Sequence, residues 1–347
     1  MANGNLILDV QHQIPFGMMI VFYIFIAGMA AGLFIFSSLG PVFGMKKMQP
    51  LAKPASVMAL AAVIPGVIAL IVDLGQPLRF FKLMYRFNPS SAMSWGTYIL
   101  TIFSLITMGY IYFLWKGDTR RIKRVGIAGL VAAVSLGLYT GFLIALAPAH
   151  PLWNSALVPV LFLVSGLVSG LSMISVGAIF FPKLTGLSSD SADEMMHKMK
   201  GWFIALELVL LVSHLMALFI SDAGRAVFHH LVTGDKMFSF VILQIGMGMV
   251  LPIVLLLVSK SKAMMGISSI LSLIGVFALR YNMIIGGQEL PRTGQMMRTL
   301  EGGWGATVIF LVLSVILLIF LPTIVNKVIN KFLSPSSSGR DTQKHAV

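Results

Sequence analysis

The sequence contains no cysteine. That excludes thiolate-held iron–sulfur clusters, covalently attached c-type haem and disulfides from this protein, so any redox chemistry on it needs another carrier. Charge is also scarce, with 11% Asp, Glu, Lys and Arg and only 12 acids in 347 residues, far below what a soluble globular surface carries. Histidine is sparse too: of seven, only His214 lies well inside an apolar run, so the facing pair of helical histidines that haem b requires is lacking. Neither a Walker loop, a metal-ligand cluster nor a nucleophile motif is found, which argues against a self-contained enzyme.

What remains is overwhelmingly apolar. Hydrophobic residues make up 57% of the sequence and the mean hydropathy is +0.92, the signature of an integral membrane protein. A bilayer core about 30 Å thick needs roughly 20 apolar residues per helical crossing. Such stretches recur at about 16–40, 54–75, 92–115, 125–147, 155–181, 200–221, 237–259, 262–285 and 304–326, predicting an all-α membrane protein of about nine transmembrane helices. The connection around Lys260 and Lys262 is so short that its two helices must form a tight antiparallel hairpin. The residues before the first run, MANGNLILDVQHQ, offer neither a basic region nor a small-residue cleavage site, so that run is read as a span and not as a removable signal.

The net charge of +13 invites a nucleic-acid reading, but its placement decides otherwise. Seventeen of the 25 Lys and Arg fall in alternate connections and the C-terminal tail, seven in the opposite set, and Arg280 within a helix. Cytoplasmic loops carry the cationic excess, which places the N-terminus outside and the C-terminus inside the membrane. The tail 334–347, SPSSSGRDTQKHAV, is polar enough to be disordered.

An internal echo suggests duplication. AGMAAG in the first span and SGLVSG in the fifth superpose Gly28 on Gly166 and Gly32 on Gly170 at one offset, and both are small-xxx-small faces of the kind that let helices approach in lipid. The second span ends in Asp73-Leu-Gly and the sixth in Asp222-Ala-Gly. The expected organisation is two four-helix bundles in parallel repeat, residues 1–150 and 151–290, then a ninth helix within 291–333.

Polar residues converge at the outer end of the first bundle. His12 stands before the first span, Asp73 ends the second, and Tyr139 lies about eight residues from the outer end of the fourth, roughly 12 Å deep. The segment PLRFFKLMYRF that follows Asp73 reads as an amphipathic interfacial helix closed by Pro89, with Trp95 at interface depth. A quinone headgroup needs a hydrogen-bonding partner at each oxygen, an apolar slot and a proton acceptor. His12 and Tyr139 suit the oxygens, Asp73 the proton, Arg79 the Asp73 carboxylate, and Trp95 is the fifth residue expected to line the quinone site. In the second half, Glu207, His214 and Arg280 are ionisable groups within spans, each expensive by about 2.5–3.5 kcal/mol. They are read as a proton path, with Glu207 in the inner half, His214 near the middle and Arg280 toward the outside. A purely structural reading pairs Glu207 with a neighbouring helix and Arg280 with Asp222.

QHQIPFGMMIVFYIFIAGMAAG, DLGQPLRF with NPSSAMSWGTYIL, LYTGFLIA and RYNMIIGGQELP together resemble the NrfD/PsrC family, the quinone-interacting membrane subunits of polysulfide reductase and related molybdopterin oxidoreductases. The likeness covers about residues 11–290. It implies two four-helix bundles without haem and a quinone pocket in the first, to whose positions His12, Asp73 and Tyr139 correspond. It also implies menaquinone or ubiquinone as substrate, a ferredoxin-like partner with four iron–sulfur clusters, a molybdopterin catalytic subunit, and residence in a bacterial cytoplasmic membrane. Phe16 stands where many members have tryptophan, and the ninth helix exceeds the eight of the smallest members. The competing function from another class is a secondary transporter, whose broken midplane helices Pro65-Gly66 and Pro252 mimic only at unmatched repeat positions.

Overall fold

Lipid offers no hydrogen bonds, so an apolar run must satisfy its own backbone, and the helix does this within one segment. The computed structural model describes residues 16–73, 85, 88–187, 190–289 and 304–333, with no side-chain account of 190–193 and 330–333. Among these, nine helices are long and apolar enough to span a membrane, and no strand occurs. The protein is an all-α integral membrane protein.

The helices are α1 (Met18–Phe43), α2 (Ala52–Asp73, preceded by a 3-10 turn Lys46–Leu51), α3 (Ala92–Lys116), α4 (Thr119–Ala145) and α5 (Leu157–Phe180). After the single turn Pro182–Thr185 come α6 (Asp190–Ile220), the surface helix α7 (Asp222–Val232), α8 (Phe238–Val258), α9 (Lys262–Tyr281, continuing as wider π turns to Gly286 and on to Glu289) and α10 (Trp304–Leu333). The ends follow local chemistry. Gly44 and Gly117 stop α1 and α3 in the left-handed conformation, φ 74° and 76°, which glycine adopts without a Cβ penalty. Ser261 caps α9 by accepting the Met264 N–H, completing the expected tight α8–α9 hairpin.

The structure departs from the sequence reading at several ends. α4 starts at Thr119, taking the basic stretch Arg120–Arg124 into its first turns, because Asp118 caps it by accepting the Arg121 N–H. α6 starts at Asp190, so Lys198 and Lys200 are helical; Lys200, at the very start of the predicted run 200–221, is wholly buried and donates to Ser269 Oγ at 2.7 Å. The expected interfacial helix after Asp73 lies outside the described residues except for Tyr85, which is exposed. After Asp222, where the sequence reading names no helix, α7 is present and buries Gly224, Val227, His230 and Leu231 along one face.

α1 is the central element, packed on α2, α4, α5, α9 and α10, and nearly every one of its side chains is buried. The two echoing glycine faces meet each other. A Cβ built at Gly32 would strike the Gly166 carbonyl, one at Gly166 would lie 2.8 Å from the Gly28 carbonyl, and Gly170 abuts Gly32 and Leu33. α1 and α5 are thus in backbone contact. Gly248 of α8 and Gly275 of α9 make a second contact of this kind. α2 lies against α1 at the Pro65-Gly66 step, where a Cβ on Gly66 would touch Ile26 and Tyr23.

Candidate functional site

Two faces of the membrane are distinguishable by what lies on them. The N-terminal face carries Phe16, Asp73, the start of α3, the α4–α5 loop, α7 and Glu289. The other carries the cation-rich connections at 44–51, 116–124, 182–187 and 259–262.

At the N-terminal face, Phe16, Ile20 and Tyr23 of the α1 entry, Leu70 of α2, Met93, Gly96 and Thr97 of α3, and Tyr139 and Leu143 of α4 enclose a narrow, almost wholly apolar slot. Tyr139 is 7% exposed and its phenol oxygen rests against the backbone of Gly96. A Cβ on Gly96 would overlap both that oxygen and the ring. Glycine in the Ser94-Trp95-Gly96 motif therefore makes the berth for Tyr139. A second phenol, Tyr23, is fully buried and faces the same slot within electrostatic reach of Tyr139. Asp73, one turn beyond Leu70, sits at the slot's mouth, 3.7 Å from the position of a Cβ on Gly17, the N-cap residue of α1. The positive end of the α1 dipole is thereby set beside a carboxylate.

Of the five residues expected to hold a quinone, the structure brings Asp73 and Tyr139 to one end of one helix group. Trp95 takes no part in the slot's wall: its Nε1 donates to the Pro89 carbonyl at 2.9 Å and its ring is 49% exposed, closing the turn before α3. His12 and Arg79 lie outside the described residues. Gly96, Tyr23 and Gln288 are additions that composition did not reveal.

Gln288 acts from the other half of the protein. Its Oε1 accepts the Phe16 N–H at 2.9 Å and its Nε2 donates to the Phe16 carbonyl at 3.0 Å, so one amide grips both backbone groups of a slot residue 272 positions away. Around it the α4–α5 loop forms a plug. His150 Nδ1 donates to the Gly287 carbonyl at 2.8 Å, buried Trp153 donates its Nε1 to the Met283 carbonyl, and the Trp153 ring lies against His150 and Phe16. Burial pushes the His150 imidazole below its usual range, against a smaller opposing effect of the Gly287 contact, so the contact is one of neutral histidine. Nearby, Lys236 bridges Glu289 at 2.7 Å and Tyr281 at 3.1 Å, and His230 meets Glu289 at 3.1 Å. Burial works against the Lys236 charge, but the Glu289 and Tyr281 contacts outweigh it and hold the ammonium above its ordinary value.

The interior of the second half carries a titratable stripe. Lys200, Glu207 and His214 recur every seven residues on α6 and are all buried, so successive members stand about 10 Å apart on one face. His214 Nε2 donates to the Leu152 carbonyl of the plug, placing it toward the N-terminal face and not near the middle. Arg280 is 0% exposed; it donates to the Phe162 carbonyl at 2.9 Å, stacks on the Phe162 ring at 3.8 Å and approaches Gly28 at the α1–α5 crossing. It therefore lies at mid-depth and not toward the outside, because α9 runs on to Glu289 beyond it. Glu207, 1% exposed, attracts Arg280 across the interior, while both its oxygens lack a hydrogen-bond donor. The expected Arg280–Asp222 pair does not form, since Asp222 is exposed and pairs with Arg225 at 3.7 Å.

The family model for polysulphide reductase, NrfD, matches residues 8–292. The chain belongs to the NrfD polysulphide reductase family. Among similar proteins, the C subunit of the selenate reductase of Mesobacillus selenatarsenatis is 28% identical over 320 residues, covering 79% of this chain and 74% of its own length. The C component of the polysulfide reductase of Wolinella succinogenes is 27% identical over 297 residues, 78% of this chain and 93% of its own length. An Hdr-like menaquinol oxidoreductase integral membrane subunit from Archaeoglobus fulgidus is 28% identical over 311 residues, 84% and 77% respectively. As an NrfD-family protein it is a multi-span membrane subunit of a reductase complex. Among its described residues no group of three or more His, Asp or Glu is placed to hold a metal.

The cradle at Gly96 gives a direct test of the slot. Gly96→Ala is expected to push Tyr139 out of its berth with the helical circular dichroism unchanged and, on a quinone-binding reading of the slot, to lower quinol-dependent turnover about tenfold. Unaltered turnover would show that the position of Tyr139 does not matter.

Proposed function

We propose that this NrfD-family subunit exchanges electrons between the membrane quinone pool and an iron–sulfur partner, from which they pass to or from a molybdopterin catalytic subunit. The observation that carries the reading is the shared slot: an apolar wall with two phenols inside it and a carboxylate at its mouth. A ring inserted there finds Tyr139 as a hydrogen-bond partner for one oxygen, and His12, four residues before Phe16, for the other. The slot encloses about 10 Å³, roughly the room of one water, so admission of a ring requires Met93, unbranched and partly exposed, to swing aside. Oxidation of a quinol releases two electrons and two protons. Asp73 is positioned to accept a proton at the membrane surface, while Arg79 and its neighbouring cations offer the partner a positive docking rim. Menaquinone suits the reading, since the similar Archaeoglobus protein is named a menaquinol oxidoreductase subunit. We place the protein in a bacterial cytoplasmic membrane with the slot on the outer side, following the distribution of cations. The two halves, 1–150 and 151–290, act as separate quinone-binding and proton-conducting units in this reading.

Lys200, Glu207, Arg280 and His214 supply the second unit. Glu207, with no donor on either oxygen, is the central group able to gain and lose a proton, and Lys200 extends the path toward the cation-rich face. Glu207→Gln is expected to abolish proton translocation in the assembled complex while leaving quinol oxidation largely intact. Equal loss of both, or of neither, would contradict the path. The electron-transfer reading itself is tested by purification from native membrane: a co-purifying subunit with iron–sulfur absorbance bleached by added quinol supports it. An isolated protein that accumulates a solute in vesicles would favour transport.

A further inference from the structure

On the cation-rich face a second cavity, of about 690 Å³ and far larger than the slot, opens between the α2 entry, the α3–α4 corner, the turn Pro182–Thr185 and α10. Three lysines line it, Lys53, Lys183 and Lys327, and among the described residues no carboxylate does. The nearest acid in sequence, Asp118, is engaged by Arg121 at 3.2 Å. Lys53 occupies the first turn of α2, the end of a helix where the macrodipole disfavours a cation. Its ammonium lies over the Trp115 ring at 5.2 Å. The Trp115 Nε1–H is buried in the wall without an acceptor, a donor left unmade at a cost that a bound acceptor would relieve.

The walls are held open by specific contacts. Thr323 of α10 donates to the Leu184 carbonyl, just after the Pro322 step, and this ties α10 to the 182–185 turn. Outside the cavity, the helices beside it expose large hydrophobic side chains, Phe320 and Ile324 on α10 and Met108 and Tyr112 on α3. The arrangement is therefore a basic, hydrogen-bond-donating mouth between helices whose outer surfaces are apolar.

We infer that this cavity is a binding site for an anionic glycerophospholipid, its phosphodiester held by Lys53, Lys183 and Lys327 with Trp115 Nε1–H as an oriented donor, and its acyl tails laid against α3 and α10. Basic pockets between membrane helices select phosphate headgroups in this manner, each cation strengthening binding about fivefold. The site is separated from the slot by the thickness of the membrane and uses none of its residues. A lipid there would staple α10, which packs on α2 and the 182–185 turn, to the first half of the protein.

The test uses the full-length protein purified in detergent. Short-chain phosphatidylglycerol, short-chain phosphatidylcholine and inorganic phosphate are titrated separately, with thermal denaturation and native mass spectrometry as readouts. Phosphatidylglycerol is expected to raise the melting temperature and to stay bound, with the other two inactive at the same concentration. Lys327→Gln should weaken that binding about fivefold, and Trp115→Phe, which keeps the ring and removes the donor, should weaken it further. Equal effects of the two lipids would overturn the site. An equal effect of inorganic phosphate would overturn its assignment to a lipid. Both outcomes are read on the unaltered protein, so a variant that fails to fold leaves the test intact.

Discussion

Tyr139→Phe is expected to lower quinol-dependent turnover at least tenfold, about 1.4 kcal/mol of barrier, without dissociating the complex. The variant keeps the ring in its berth and deletes the hydroxyl, and with it both the contact of that oxygen with the Gly96 backbone and the hydrogen bond proposed to the quinone headgroup. KM is expected to change less than kcat if that bond strengthens as the quinol gives up its proton. His12→Ala is expected to act in the same direction, since the proposed geometry needs a partner at each oxygen. Steady-state assays with a menaquinol analogue, alongside gel filtration of the complex, distinguish chemistry from assembly. Normal turnover in both variants would remove the slot from the electron path.

The second large effect concerns stability. Gly32→Leu introduces a side chain where even a Cβ would collide with the Gly166 carbonyl, and backbone yields far less readily than a flexible side chain. The α1–α5 crossing would have to open, with a loss of roughly 3 kcal/mol or more, because association within lipid depends on close packing of small residues. Gly201, where an added Cβ would meet nothing within 4 Å, serves as the control: Gly201→Ala should leave stability equal or slightly higher. Unfolding in a graded detergent mixture measures both. A Gly32→Leu protein as stable as its parent would mean that α1 and α5 are not in backbone contact.

Much of the fold is legible because lipid restricts the alternatives so severely. The nine apolar runs match nine spans among the described residues, and where ends differ the cause is local: the Asp118 cap extends α4 to Thr119, and the wider turns after Tyr281 carry α9 to Glu289. The repeated glycines are visible as two faces, yet nothing in either face says that its partner is the other copy. Pairing is a property of three-dimensional packing. The same holds for the slot. Asp73 and Tyr139 are assignable to one leaflet by counting residues, whereas Gln288 gripping Phe16 joins positions 272 apart and has no periodic signature. The neighbour and depth of Arg280 escape the sequence for a related reason: Asp222 follows α6 in sequence but faces solvent in space, and Glu207 is the acid that the interior presents to Arg280. Lys200 does carry a usable sign, its spacing of seven from Glu207, which a strict heptad count along α6 picks out.

pH acts on the plug in a defined direction. Burial holds His150 below its ordinary value, so the unfolded state binds a proton that the folded one resists. The stabilisation is intact above about pH 6.5 and declines as the pH falls below it.

The most direct measurement is a map of the assembled complex with a bound quinone analogue. Ring density is expected between Tyr23, Met93 and Tyr139, with one oxygen within hydrogen-bonding distance of the Tyr139 hydroxyl and Asp73 at the mouth. Density on the cation-rich face, or within the second half away from Tyr139, would contradict the assignment of the slot.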